Sequence, residues 1–169
     1  MTPELLSYLR CPVSREPLAM EVLQTGTKHN NGIEKEIILS GILRSSDFIF
    51  PIINGIPRLT VEAFIDYETF LAKNVKDFVA IKEKINKTYS GLLQFVLKKN
   101  KRTKKSFSQE WGLFNYEEDK VWDADTEGML QRFLQENDET KEALKGKLIL
   151  DAGCGNGLLN QSIAACGAT

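Results

Sequence analysis

Lys147 to Thr169 reads KLILDAGCGNGLLNQSIAACGAT. Leu148-Ile149-Leu150 is a short apolar run, suited to a strand buried on both faces of a parallel sheet. Asp151 ends it, and Gly153-Cys154-Gly155-Asn156-Gly157 follows as a glycine loop. Leu158 to Cys166 then has the composition of a helix, with Leu158, Leu159, Ile163 and Ala164 on one side and Gly167 as its stop. Strand, glycine turn and helix in that order form the opening unit of a nucleotide-binding α/β fold. Glycines let the backbone turn sharply and let a ligand lie close to it. The N–H groups at the start of the helix can face polar or anionic ligand atoms. The spacing is G-x-G-x-G, so the third glycine comes one residue earlier than in the dinucleotide fingerprint. Leu158-Leu159 after the last glycine excludes a Walker-type phosphate loop, which needs Lys followed by Ser or Thr.

Upstream, residues 106–145 read as helical with loops. They carry the aromatic cluster Phe107, Trp111, Phe114, Tyr116 and Trp122, followed by Met129, Leu130, Phe133 and Leu134 at helical spacing. Residues 61–105 read as a helical connector. Its apolar stripe runs from Phe64 to Leu93 and is followed by Lys98 to Lys105, KKNKRTKK, with six basic residues in eight. This run is expected to be either a solvated linker or a contact for phosphate or a membrane surface through Lys98, Lys99, Lys101, Arg102, Lys104 and Lys105. The preceding Leu92-Leu93-Gln94-Phe95-Val96-Leu97 suits an interfacial anchor or a buried helix end. From Glu110 to Glu142 the balance reverses, with eleven acidic residues against Lys120, Arg132 and Lys141.

Residues 1–60 read as a small β-rich domain. Leu5, Leu6 and Leu9 suit one helical turn. Leu18 to Leu23 and Ile37 to Leu43 are expected strands, separated by a turn at Lys28-His29-Asn30-Asn31-Gly32. Phe48 to Ile53 follows, then the tight-turn pair Asn54-Gly55, and Ile56-Pro57-Arg58-Leu59 as an edge segment. The predicted fold class is therefore α+β for this β-rich domain and the helices after it, followed by the first β-α unit of a Rossmann-like α/β fold over residues 146–169.

The whole string Leu-Ile-Leu-Asp-Ala-Gly-Cys-Gly-Asn-Gly (Leu148–Gly157) resembles the first motif of class I S-adenosylmethionine-dependent methyltransferases. The competing reading is another Rossmann-like nucleotide binder. The resemblance implies that Asp151, Gly153, Gly155 and Gly157 line the methionine and ribose side of the cofactor, with Cys154 and Asn156 as small loop residues between them. Ser106-Phe107-Ser108-Gln109-Glu110-Trp111 resembles the S-F-x-x-x-W lead-in of one bacterial subgroup of these enzymes. By that resemblance Phe107 and Trp111 pack beside the cofactor; a plain aromatic core is the alternative.

The first sixty residues resemble the zinc-ribbon-like domain of the tRNA-methyltransferase activator family. The matching positions are Leu5-Leu6, Leu9, Cys11-Pro12, Pro17-Leu18, Phe50-Pro51-Ile52 and Gly55-Ile56-Pro57-Arg58. Metal-binding members carry C-P-x-C and usually a second cysteine pair. Here Ser14 stands at the second cysteine, and Ser45 and Ser46 in the region of the other pair. A structural zinc needs four good ligands, and this region offers Cys11 and His29, so no structural zinc is expected.

These resemblances imply a methyltransferase whose acceptor and catalytic base the sequence does not name. The ribose-gripping carboxylate should follow Asp151 by about 20 residues. The expectation is an N-terminal portion of a longer enzyme that alone binds cofactor weakly or not at all. The alternative function is a non-catalytic partner-binding or regulatory module, with the N-terminal domain as the docking piece. Three cysteines, a net charge of −1, no leader-like N-terminus and no long apolar run lead to an expected soluble, cytoplasmic chain.

Overall fold

The computed structural model describes residues 1–30, 33–113, 125–154 and 157–168; the side chains of 29, 30, 33, 102, 107 and 110–113 are not part of that description. It is an α+β protein with a four-stranded antiparallel sheet in the order β1-β2-β3-β4. The chain divides into two units, Met1–Lys105 and Ser106–Thr169. Among the described residues no helix is long and apolar enough to cross a membrane.

In the first unit, a 3₁₀ turn at Pro3–Ser7 leads into β1 (Ala19–Asn30), β2 (Ile33–Arg44), β3 (Ile49–Ile53) and β4 (Ile56–Pro57). The expected turn at 28–32 is corrected at Lys28 to Asn30, while Asn31 and Gly32 lie outside the described residues. Both strands continue into it, with Lys28 opposite Lys35, His29 opposite Glu34 and Asn30 opposite Ile33. A hairpin zipped from its base, where Met20 faces Leu43, carries its ladder through polar residues that composition alone assigns to a turn. The Asn54-Gly55 turn forms as expected. Both residues have positive φ, 51° and 76°, as the tight two-residue hairpin turn with the correct twist requires.

Pro51 sits inside β3, opposite Ile42 of β2. Its carbonyl accepts from Arg58 N–H at 2.9 Å, so its missing donor falls on the β4 side, where the ladder ends.

The expected single apolar stripe over 61–97 is divided into α1 (Ala63–Asp66), α2 (Glu68–Asn74), α3 (Phe78–Thr88) and the start of α4 (Ser90–Leu113). Tyr67, Val75 and Tyr89 leave helical geometry, with φ of −118°, −122° and −116°. These breaks bend the stripe round the sheet, so that residues from every segment share one core. Phe48, Phe50, Ile42, Leu43 and Ile52 of the β segment are buried with Phe64, Leu71, Phe78, Ile85 and Leu93 of the helices. Burying each such side chain contributes roughly 1.5–3 kcal/mol. The β-rich segment and the helices after it therefore form one folding unit. The basic run is likewise neither linker nor loop: Lys98 to Lys105 lies within the 24-residue helix α4.

The second unit begins within α4 and contains α5 (Thr126–Glu136), a 3₁₀ turn at Glu142–Leu144 and α6 (Leu158–Ala165). Asp125 caps α5, its side chain accepting from Gly128 N–H at 2.8 Å. Leu130, Leu134, Leu144 and Ile163 form a small core, with Phe133, Ile149 and Leu159 packed against it. The expected strand at Leu148–Leu150 is corrected, because residues 147–150 carry no strand. Ile149 anchors in the core, whereas Leu148 and Leu150 face outward and Leu150 is 91% exposed. A parallel strand exists only through its ladder, and no described strand pairs with this segment. It is held instead by Gly146 N–H donating to Gly167 O at 2.8 Å.

Candidate functional site

Asp151 leads into the glycine loop, and Gly157 caps the N-terminus of α6. Gly153 and Gly157 both lie in the left-handed region, with φ of 90° and 76°. Side-chain-bearing residues rarely adopt that conformation. Gly157 N–H closes the loop on Cys154 O at 2.9 Å, and its carbonyl accepts from Gln161 N–H. A Cβ at Gly153 or Gly157 would meet nothing within 4 Å, so open space adjoins both. Asp151 and Asn160 line a cavity of about 230 Å³ together with Ile149, Ile163, Ala164 and Ala168. The structure thus places Asp151 in one cavity wall with residues of the helix that follows the glycines. Asn160 was not singled out from sequence; its place in the first turn of α6 was the available signal.

Of the other predicted site residues, Cys154 is exposed on the loop. Gly155 and Asn156 lie outside the described residues. Phe107 and Trp111 lie on α4, four positions apart, with side chains outside the description.

No family model matches this chain, and no curated protein matches it.

The loop offers contacts for part of a ligand. Its left-handed glycines and the open space beside them suit a ligand laid against main chain, and Asp151 offers an acceptor at the cavity wall. The cavity is smaller than the roughly 300–1,000 Å³ of a typical whole-ligand site.

In the first unit, the positions that the zinc-ribbon resemblance singled out converge. Cys11 is buried, and its sulfur accepts from Ser14 N–H at 3.5 Å. Burial pushes the Cys11 thiol up, but hydrogen bonds from Ser14 and Ser45 and from the backbone of Ser14 and Val13 outweigh it and leave it below the ordinary value. Glu16, which sequence reading missed, ties two loops together. One of its carboxylate oxygens accepts from the hydroxyls of Ser14 at 2.9 Å and Ser46 at 2.8 Å. The Ser45 hydroxyl accepts from Phe48 N–H at 3.1 Å. Asp47 joins the second loop to the helices, accepting from Tyr89 OH at 2.6 Å and pairing with Lys84 at 2.6 Å. Among the described residues no group of three or more His, Cys, Asp or Glu side chains could hold a metal.

Hydrogen bonds from Ser46 and Ser14 hold the Glu16 carboxyl below the ordinary carboxylate value. The unfolded chain therefore takes up a proton at this group at higher pH than the folded one. Its contribution to stability is complete at neutral pH and is lost as pH falls through the depressed value. Glu16→Gln should lower the melting temperature at pH 7 and flatten its dependence on pH below the ordinary carboxylate range. Melts recorded across that range check this. Unchanged curves would contradict the linking role.

The basic run is not a uniform patch. Lys104 pairs with Glu62 at 3.1 Å and with Asp66, and Asn100 donates to Glu62 at 2.8 Å. Lys98, Lys99, Lys101 and Lys105 are exposed.

Proposed function

We propose that residues 146–169 form the cofactor-binding segment of an S-adenosylmethionine-dependent methyltransferase, with the glycine turn as its ligand loop and α6 as the helix that follows it. The carrying observation is the pair of left-handed glycines beside open space, with Asp151 in the adjoining cavity. In this reading Gly153 and Gly157 hold the backbone clear of the ligand, and Asp151 accepts hydrogen bonds from its polar groups. Phe107 and Trp111 would supply apolar cover to its flank. When bound, the cofactor supplies an electrophilic methyl group. The protein's share of such a transfer is mainly position and orientation. A compartment that keeps thiols reduced, such as the cytoplasm, suits the exposed Cys154.

Because the cavity takes only part of the ligand, binding to this chain should be weak, with Kd of roughly a millimolar. An NMR titration with S-adenosylmethionine should shift the amides of Asp151 to Gly157 and of the first turn of α6. Gly157→Val, which forces a β-branched residue into φ of 76°, should remove those shifts while the signals of residues 1–90 stay in place. Absence of loop shifts at saturating ligand would overturn the proposal. Micromolar affinity would overturn the partial-site argument.

A further inference from the structure

We infer that the outward face of α4 docks on an anionic lipid surface. Phe95 is 63% exposed on this helix, a large apolar side chain held in solvent. Residues three and four positions away share its face of a helix. In this chain they are Lys98 and Lys99. The Lys99 ammonium lies over the Phe95 ring, 5.8 Å from its centroid. Phe95, Lys98, Lys99 and Thr103 line a groove of about 480 Å³.

The opposite face is spent inside the protein, with Leu93 in the core and Asn100 and Lys104 on the buried Glu62. The outward cations are not spent. Among the described residues, Lys98, Lys99, Lys101 and Lys105 form no ion pair, and no acidic residue occurs from Ser90 to Gln109. Met1–Lys105 as a whole has 17 Lys and Arg against 11 Asp and Glu, a net +6. An anionic partner is what this charge complements.

A lipid surface fits it better than nucleic acid. Phe95 stands among cations with Leu92, an aliphatic neighbour, 36% exposed. That arrangement lets one apolar wedge enter the acyl boundary while lysines stay at headgroup level. Single-stranded nucleic-acid grooves use successive aromatics for stacking, whereas Phe95 is the one aromatic residue between Leu92 and Thr103. This inference is independent of the glycine loop.

Sedimentation of the full chain with vesicles of phosphatidylcholine, with and without phosphatidylserine, tests it. Binding is expected to the mixed vesicles alone and to fall as salt rises. Lys98→Gln with Lys99→Gln should weaken it about 30-fold, near a fivefold loss per lysine, and Phe95→Ala about tenfold or more. These side chains are exposed, so circular dichroism and melting should match the parent and separate lost binding from lost folding. No binding to the mixed vesicles, equal binding to neutral ones, or binding unchanged in both variants would overturn the assignment. So would tighter binding to a single-stranded oligonucleotide that displaces the vesicles.

Discussion

Phe64→Ala should lower the stability of the first unit by about 3–5 kcal/mol. Phe64 is 1% exposed on the four-residue helix α1, which packs against β3. So short a helix has no stability of its own; this side chain ties the connection between sheet and helices into the core. Truncation leaves a cavity against β3, whose core residues Phe50 and Ile52 are held by the sheet ladder and cannot collapse into it. Strand and helix signals should melt together, at a temperature lower by about 15 °C or more. Calorimetry and far-ultraviolet circular dichroism measure this. If the sheet kept its melting temperature while helix signal was lost, the shared core would not be the unit of cooperativity.

Lys104→Met should destabilise the protein, whereas Glu62→Leu combined with Lys104→Met should restore most of the loss. Glu62 is 1% exposed, and its second carboxylate oxygen has no hydrogen-bond partner among the described residues. Burial pushes this carboxyl up, but hydrogen bonds from Asn100, its own backbone and Lys104 outweigh burial and hold it below the ordinary value. Without Lys104 a buried carboxylate keeps its desolvation cost and loses its counter-ion. Breaking a fully buried pair costs about 3–5 kcal/mol. The Lys104 side chain is 53% exposed, so solvent screening reduces the expected cost to about 1–3 kcal/mol. The double substitution removes both charges and exchanges them for apolar volume, a change that is often neutral. The pH dependence follows from the lowered Glu62 value. Its stabilisation is complete at neutral pH and is lost as acid protonates the folded carboxyl, and Lys104→Met should shift that loss to higher pH. Equal destabilisation in the single and double variants would show that Lys104 acts through its alkyl packing instead of its charge.

Local chemistry was legible where it fixes geometry by itself. Asn54-Gly55 fixed the β3–β4 turn, Pro57 marked the edge, and the glycines with Leu158 to Cys166 marked a left-handed loop and a helix start. Legibility failed where tertiary partners decide. Lys28 to Asn30 are polar enough for a turn, yet they extend the ladder because Glu34 and Lys35 pair opposite them. The apolar positions from Phe64 to Leu93 have one helical rhythm, and only wrapping round the sheet shows why it breaks at Tyr67, Val75 and Tyr89. Leu148 to Leu150 has strand composition without a ladder partner among the described residues. At the candidate site, the glycine pattern marked Asp151, while Asn160 emerged only once α6 placed it at the cavity wall. The Glu16 link was hidden because Ser14 and Ser46 are 32 positions apart in the chain, and only the sheet brings them to one carboxylate.

On the proposed function, main chain around Gly153 and Gly157 receives S-adenosylmethionine. Ultraviolet cross-linking of methyl-labelled S-adenosylmethionine to the full chain, followed by peptide mapping, tests it most directly. The label is expected within residues 147–166, competed by unlabelled S-adenosylmethionine and absent in Gly157→Val. Label confined to residues 1–105, or insensitive to competition, would contradict the claim.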